Sequence, residues 1–125
     1  MAVSVVDASV VAALLFGEPA AGALTERLGV GPFAAPALLE YEVANVCWHK
    51  CRQQPAAAAA LRQAFGLLAE MDLQLHDVDH SAVLDLALET GLTGYDASYL
   101  WLARQLGVPL VTLDRRLMAV SPGDR

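Results

Sequence analysis

The sequence predicts an α/β domain with a central, mostly parallel sheet of four to five strands and helices on both faces. Short segments rich in valine and leucine alternate with longer helical segments, and this alternation is typical of parallel strand pairing. A length of 125 residues matches one domain and is enough to bury a hydrophobic core. We therefore expect a single domain that spans residues 1–125.

The first half of the chain contains two predicted strands and four predicted helices. In order, these are a strand over 2–6, a helix over 8–16, a helix from Pro19 to Leu28, a weak strand over 33–35, a helix from Pro36 to Gln53 and a helix from Pro55 to Glu70. Glycine after the last helical residue, as at Gly17, ends a helix, and proline is favoured in the first helical turn. The alanine run 56–60 is assigned to a helix because alanine has the highest helix propensity.

The second half contains two more predicted strands. In order, the elements are a strand over 73–76, a helix from Asp79 or Ser81 to Thr90, a helix from Gly94 to Leu106, a strand over 109–113 and a short final helix. Segment 73–76 alternates apolar and polar residues, as a half-exposed strand does. Asp79 or Ser81 is the expected N-cap of the helix that follows, and Gly91 and Gly107 end the two helices.

The acidic balance of the chain argues against one class of function. The formal net charge is −6 at pH 7. Proteins that coat nucleic acid without sequence preference need a basic surface instead. The charge is compatible with an enzyme that meets phosphate groups through a bound metal and a few local arginines.

The hydrophobic content of 56% is high. No run reaches the ~18 apolar residues that span a bilayer, and the longest extends from Val10 to Phe16. The first residues also lack the basic flank of a signal peptide. We expect a soluble, cytoplasmic protein with no membrane association.

Cys47 and Cys51 lie four residues apart on a predicted helix, with His49 between them. Their spacing is not that of a known zinc module, and the other histidines, His76 and His80, belong to a different segment. We interpret the two cysteines as small hydrophobic residues of the core, which free cysteines commonly are. A metal site remains the alternative.

Asp7 and Asp114 directly follow predicted strands. The carboxyl ends of parallel strands meet at one edge of a sheet, and ligands bind just outside that edge. Crowded carboxylates repel one another unless a cation neutralises them, and oxygen-only ligation suits Mg²⁺ or Mn²⁺. The pair therefore suggests metal-dependent phosphate chemistry, with N-capping of the following helices as the alternative.

Asp96 begins an apolar helical stripe that includes Tyr99 and Ala103, whereas Ser98 is expected on the opposite side. A carboxylate that leads such a stripe faces the sheet, and burying it without a partner costs several kcal/mol. A metal ion or strong donors are therefore favoured near Asp96. A capping box of Thr93 and Asp96 is the alternative.

Glu42 lies on the one polar stripe of a helix that is apolar over most of its circumference, together with Asn45 and His49. That stripe faces either solvent or a polar cleft. Glu40 is a competing acidic residue on the same helix. Periodicity does not choose between the two glutamates.

Two hydroxyl residues accompany the strand-end aspartates. Thr112 precedes Asp114 by two residues, so both side chains leave the same face of the strand, and Ser9 follows Asp7 by two. Either hydroxyl is placed to hydrogen-bond a carboxylate or a water of a metal site. A local hydrogen bond without functional role is the alternative for both.

Four segments together resemble a known family. Their sequences are VVDAS at 5–9, EVANV at 42–46, TGYDA at 93–97 and LVTLD at 110–114. In this order and spacing they resemble the successive motifs of PIN-domain ribonucleases, and the resemblance extends from Val5 to Leu117. The compact size and the sequence LFGEP at 15–19 are similar to the VapC-type toxins of bacterial toxin–antitoxin pairs.

The resemblance implies a PIN-like three-layer α/β/α sandwich with an acidic quartet at its active site. Carried over position by position, the catalytic and metal-binding quartet falls on Asp7, Glu42, Asp96 and Asp114. The family context thus selects Glu42 over Glu40. Asn45 and Thr112 match supporting positions, and we place Ser9 with them. The family also implies Mg²⁺ or Mn²⁺, a homodimer, and inhibition by a separate antitoxin.

The implied activity is that of an endoribonuclease. A water activated by metal attacks phosphorus and leaves a 5′-phosphate and a 3′-hydroxyl, without use of the RNA 2′-hydroxyl or a histidine pair. Arg115 and Arg116, next to Asp114, are candidate contacts to RNA phosphates, with a solvated surface pair as the alternative. A PIN-like module that binds RNA or a partner without catalysis is the alternative function.

Overall fold

The computed structural model describes residues 2–121. Its sheet has four strands in the order β3-β2-β1-β4, and all neighbouring strands pair in parallel. The strands are β1 (Ser4–Val6), β2 (Phe33–Pro36), β3 (Leu73–His76) and β4 (Leu110–Val111). The predicted α/β class and parallel sheet are confirmed. The single domain expected over 1–125 stays a prediction, since residues 1 and 122–125 lie outside the described range.

Seven α-helices complete the three layers within residues 2–121. They are α1 (Ala8–Phe16), α2 (Ala21–Leu28), α3 (Leu39–Gln53), α4 (Ala58–Gly66), α5 (His80–Thr90), α6 (Gly94–Leu106) and α7 (Arg115–Ala119). On one side α5 packs on α6, which contacts β1 and β2, and α1 contacts α2, α3 and α4 in the other helical layer. Taken singly, none of the helices in the described part of the chain is long and apolar enough to cross a membrane. Only α1 and α2 as a pair, with a bend of 110° between them, meet the requirement of length and composition.

The register of the central strands positions the functional edge of the sheet. Val5 of β1 pairs with Leu110 of β4, and Val6 pairs with Val111. These four paired residues are all buried, as expected for parallel strands that are covered on both faces. Because the two strands end in register, the residues that follow Val6 and Val111 emerge side by side at the carboxyl edge of the sheet.

Two helices that were predicted to start at prolines begin later. Pro36 is the last residue of β2, and α3 begins at Leu39. Likewise, α2 begins at Ala21 rather than at Pro19. The fixed φ of proline fits the end of a strand or a turn as well as a first helical turn, and proline drives the residue before it toward extended geometry.

The helix predicted from Pro55 to Glu70 is divided into three pieces. The α-helical part, α4, is preceded by a 3₁₀ turn over Pro55–Ala57 and followed by another over Leu67–Glu70. Gly66 ends α4, and glycine is a poor residue for a helix interior. The alanine run therefore only partly forms an α-helix.

Candidate active site

The carboxylate of Asp7, directly after β1, is buried and held by three donors. Oδ1 accepts hydrogen bonds from the Ser9 hydroxyl at 2.6 Å and from the Val10 amide at 3.2 Å. Oδ2 accepts one from the Thr112 hydroxyl at 2.5 Å. Thr112 belongs to the neighbouring strand end, 105 residues away in sequence. These contacts fix the orientation of the Asp7 carboxylate.

The same hydroxyls connect the two strand ends to each other. The Ser9 hydroxyl accepts a hydrogen bond from the Leu113 amide at 3.0 Å, and the Thr112 hydroxyl accepts one from the Asp114 amide at 3.0 Å. Each hydroxyl thus donates to Asp7 and accepts from the segment that leads to Asp114. The predicted placement of Ser9 and Thr112 beside the aspartates is what the structure shows, while their supporting role stays a prediction.

Asp7 and Asp114 each cap the N-terminus of a helix and also belong to the group of acidic residues. Asp7 caps α1 through Val10, and Oδ1 of Asp114 caps α7 by accepting from the amides of Arg116 at 2.8 Å and Leu117 at 3.3 Å. Within residues 2–121, Oδ2 of Asp114 has no hydrogen-bond donor. The N-capping alternative is therefore correct for Oδ1 of Asp114, while Oδ2 remains available to bind a ligand.

Glu42 of α3 reaches the same region and is held by a buried tyrosine. The Tyr99 hydroxyl donates to Oε1 of Glu42 at 2.5 Å. Glu42 is half-buried, whereas Glu40 is exposed. The structure thus places Glu42, not Glu40, beside the other acidic residues, which geometry at the sequence level did not decide.

Asp96 lies in the first turn of α6, where the Thr93 hydroxyl accepts a hydrogen bond from its amide at 3.1 Å. This bond provides half of the predicted capping box. Tyr99 and Ala103 are buried on the stripe that follows Asp96, as expected. The placement of Ser98 on an outward face is wrong, because Ser98 is buried and its hydroxyl donates to the Tyr95 carbonyl. α6 is thus covered over more of its circumference than a single stripe.

Electrostatics shows that the four carboxylates form one cluster. Burial raises the pKa of Asp7, and the charge of Asp114 raises it further. Burial likewise raises the pKa of Glu42, with added contributions from Asp96 and Asp7. The pKa of Asp96 is raised by burial, then by Asp114 and Asp7, and lowered by Arg116. The charge of Asp7 thus raises the pKa of Glu42 and of Asp96, and the charge of Asp114 raises the pKa of Asp7 and of Asp96, so the four carboxylates share one electrostatic environment.

The donor set fits a hard divalent cation. All the candidate ligands are carboxylate oxygens, which suit Mg²⁺ or Mn²⁺. Within residues 2–121, no three acidic, histidine or cysteine side chains are grouped tightly enough to form a ready-made metal cage. A divalent cation would offset the mutual repulsion of these buried and half-buried carboxylates. Asp7, Glu42, Asp96 and Asp114 are the residues that would hold it.

The remaining predicted site residues lie at the rim. Asn45 is exposed on α3 and lines a cleft together with Glu42. Arg115 is exposed, and Arg116 is exposed with its guanidinium 3.4 Å from the Gly91 carbonyl. Of these two arginines, Arg116 acts on the cluster, because its charge lowers the pKa of Asp96.

The four sequence segments that contain these residues lie within the range matched by a family model. A model described as the PIN domain matches residues 4–121. The chain belongs to the PIN domain family. The resemblance seen in the four sequence segments is thereby confirmed.

Two relatives from Pyrobaculum aerophilum place this PIN domain with VapC proteins. It is similar to Ribonuclease VapC3, with 32% identity over 126 residues that cover 94% of each chain. It is also similar to Exonuclease VapC9, with 40% identity over 84 residues, which are 66% of this chain and 62% of that relative's length. The predicted VapC type is confirmed.

Solved structures have the same fold as this PIN domain. PAE2754 from Pyrobaculum aerophilum superposes with a TM-score of 0.78 at 31% identity, over 96% of this chain and 85% of the other. VapC20 from Mycobacterium tuberculosis, described as a sarcin-ricin loop cleaving toxin, superposes with a TM-score of 0.68 at 18% identity, over 95% and 99%. The second likeness is one of fold alone.

The cysteines of this PIN domain lie away from the acidic cluster. Cys47 and Cys51 are both free thiols whose sulfur atoms are 3.9 Å apart. Their nearest acceptors are the carbonyls of Leu61 and Ala58, at 3.7 and 3.9 Å. They therefore pack between α3 and the following segment, in agreement with the hydrophobic interpretation.

Tyr99 is the residue of the site that sequence reasoning missed. It was assigned to the apolar stripe of α6, and its ring is indeed buried. A buried tyrosine hydroxyl needs a partner, however, and an acidic residue was the nearest polar feature on that stripe. The need of the buried Tyr99 hydroxyl for an acceptor was therefore a signal in the sequence that could have predicted a carboxylate of another helix beside α6.

Proposed function

We propose that this PIN domain is a Mg²⁺- or Mn²⁺-dependent endoribonuclease and the toxin component of a toxin–antitoxin pair. The observation that carries the proposal is the buried Asp7 carboxylate, which is fixed by Ser9 and Thr112 and interacts electrostatically with three further carboxylates, Glu42, Asp96 and Asp114. A cluster of negative charge with raised pKa values is costly to keep in a fold unless it serves a cation. The similarity to Ribonuclease VapC3 over 94% of the chain supports RNA as the substrate.

Hydrogen bonds from neighbouring side chains hold two of the four carboxylates in position. Ser9 and Thr112 hold Asp7, and Tyr99 holds one oxygen of Glu42, so both carboxylates are oriented before substrate arrives. When bound, a divalent ion supplies Lewis acidity that lowers the pKa of water and compensates charge at the phosphate. Arg116 brings a positive charge toward Asp96 at the rim, where an RNA phosphate approaches.

The proposed reaction is hydrolysis of a phosphodiester. The water gives up a proton and its oxygen bonds to phosphorus, the bond from phosphorus to the 3′-oxygen breaks, and the 3′-oxygen takes up a proton from solvent. The products are a 5′-phosphate and a 3′-hydroxyl. In the described range, none of the hydrogen bonds of the cluster comes from a histidine side chain, which favours this route over acid–base catalysis by a histidine pair.

The proposal also includes the cellular partners of the enzyme. These are an RNA substrate, a cognate antitoxin protein that blocks the site, and a second copy of the chain in a homodimer. The antitoxin and the homodimer follow from the VapC resemblance, and the cytoplasm is the proposed location because both RNA and antitoxin are found there.

The test is cleavage of structured RNA by the purified chain with Mg²⁺ or Mn²⁺, compared with Asp7→Asn and Asp96→Asn. Asp85→Asn, on the exposed side of α5, is the matched control. We expect wild type and the control to cleave and the two site variants to lose at least about a hundredfold in rate. Equal cleavage by all four proteins would overturn the proposal. Stable binding of RNA by wild type without cleavage would favour the non-catalytic PIN-like module.

A further inference from the structure

Two exposed tyrosines flank the acidic cluster. Tyr41 of α3 is 80% exposed, and Tyr95 of α6 is 66% exposed. Within residues 2–121, neither side chain has a hydrogen bond or a ring contact. Tyr41 directly precedes Glu42, and Tyr95 directly precedes Asp96. Two aromatic rings without partners thus stand next to two of the proposed metal ligands.

Both rings line one cleft that leads to the cluster. The cleft has a volume of about 420 Å³ and is lined by Leu38, Tyr41, Glu42, Asn45 and Tyr95. Leu38 and Tyr95 also line a neighbouring cleft of about 460 Å³, so the depression continues past Tyr95. The lining therefore combines two aromatic rings, one aliphatic side chain, one amide and one carboxylate of the cluster.

We propose that Tyr41 and Tyr95 are stacking positions for unpaired RNA bases beside the phosphate that is cleaved. This inference rests on the proposed ribonuclease function and names its substrate class as RNA with unpaired bases. Proteins read single-stranded RNA by stacking unpaired bases on aromatic side chains and by hydrogen bonds to the exposed base edges. Asn45, with both a donor and an acceptor in its amide, is placed in the same cleft to contact a base edge.

The charge of the chain supports stacking as a source of affinity. With a net charge of −6, the protein lacks the overall basic character that attracts RNA through its phosphates. Base stacking does not depend on net charge, because every base has an aromatic face. Glu42 is part of the lining of the cleft, so an RNA whose scissile phosphate lies next to the carboxylates would extend past both rings.

The experiment measures binding of short oligoadenylate in Mg²⁺ on the Asp7→Asn background, and cleavage on the otherwise native chain. Tyr41→Ala and Tyr95→Ala are each expected to weaken binding roughly 5- to 150-fold, as the loss of one stacked base does. The loss is expected to be similar at low and high salt, because stacking releases no counterions. Tyr41→Phe and Tyr95→Phe are expected to restore most of the binding, since the ring is kept. Leu88→Ala, 77% exposed on α5 and outside the cleft, is the control.

The outcomes separate this inference from the proposed function. If the alanine variants bind and cleave RNA like the native chain, stacking is overturned and the ribonuclease function stands. If no RNA is cleaved by the native chain but the alanine variants lose binding, the nuclease function falls and stacking stands. A loss of the dimer in light scattering without loss of RNA affinity would assign the cleft to an interface between two copies and overturn the inference.

Discussion

Tyr99 and Glu42 are 57 residues apart in sequence and are joined by a hydrogen bond of 2.5 Å between the Tyr99 hydroxyl and Oε1 of Glu42. The bond connects the buried face of α6 to the first turn of α3. Within residues 2–121, the second oxygen of Glu42 accepts no hydrogen bond. Burial and the adjacent Glu42 also raise the pKa of Tyr99, so the hydroxyl stays protonated and remains the donor.

Tyr99→Phe removes this donor and keeps the ring in the core. We expect the affinity for Mn²⁺ and the value of kcat/KM for RNA to fall roughly 10- to 150-fold each, in line with about 1.5–3 kcal/mol for a hydrogen bond to a charged group. Titration calorimetry and single-substrate kinetics measure the two quantities. Ser98→Ala, which loses a buried hydrogen bond on the same helix, is the control and lowers stability without lowering Mn²⁺ affinity. Equal Mn²⁺ affinity in Tyr99→Phe and wild type would refute a positioning role for the hydroxyl.

Thr112→Val removes one donor to Asp7 at nearly constant shape. We expect the free energy of unfolding to fall by about 1–3 kcal/mol, because Oδ2 of Asp7 is left buried without a partner. RNA cleavage falls as well, since the carboxylate is no longer fixed. Urea unfolding and cleavage assays give the two results. Thr112→Ser restores the hydroxyl and is expected to recover both, and a Thr112→Val protein with unchanged stability would contradict the role given to this bond.

Asp96→Asn is expected to stabilise the fold while it abolishes activity. In the absence of divalent metal, the substitution removes a half-buried charge whose pKa is raised by burial and by Asp114 and Asp7. The melting temperature at neutral pH should therefore rise by an amount on the order of a few °C. Thermal unfolding in EDTA measures it, with Asp85→Asn as the control. A lower melting temperature than wild type would show that Asp96 is paired favourably in the metal-free protein.

The stability of the metal-free protein should increase as the pH is lowered from neutral. The folded-state pKa values of Asp7, Glu42 and Asp96 are raised above the ordinary 3.8 of aspartate and 4.5 of glutamate. The native state therefore binds more protons than the unfolded state in this window. Stability is gained as the pH falls through the raised pKa values and is lost as the pH rises through them.

Divalent metal competes with these protons. The rise in melting temperature caused by millimolar Mg²⁺ should be largest at pH values above the raised pKa values and should shrink as the carboxylates are protonated. Thermal unfolding over a series of pH values, with and without Mg²⁺, measures both trends. A Mg²⁺ effect of equal size at every pH would mean that the ion binds elsewhere.

The sequence was sufficient to predict the sheet and the position of its functional edge. Val5 and Val6 form an apolar run that ends at Asp7, and the same pattern before Asp114 predicted a neighbouring parallel strand. Strand pattern and the rule for carboxyl ends are local properties, so they can be read from single segments. The contact of the Ser9 hydroxyl with Asp7 followed from the same local geometry, whereas the Thr112 hydroxyl donates to Asp7 of the neighbouring strand end, 105 residues away.

Contacts between segments that are distant in the sequence could not be predicted from local sequence patterns. The choice between Glu40 and Glu42 depends on which face of α3 meets α6. The hydrogen bond from the Tyr99 hydroxyl to Glu42 identifies that face, and it is visible only in the three-dimensional structure. Pro36 was predicted to begin a helix, but it is the last residue of β2. The sequence was ambiguous at this point because proline suits both a first helical turn and the end of a strand. Pairing of β2 with β3, a tertiary contact, decided between the two.

The central claim is that the carboxylate cluster binds the catalytic divalent ion. Isothermal titration calorimetry tests it most directly, with Mn²⁺ titrated into the metal-free wild type, Asp7→Asn and Asp85→Asn proteins. If the carboxylate cluster holds the catalytic ion, wild type and Asp85→Asn bind Mn²⁺ alike and Asp7→Asn binds at least about tenfold more weakly. Equal affinity in Asp7→Asn and wild type, or no binding by wild type at millimolar Mn²⁺, would contradict the account.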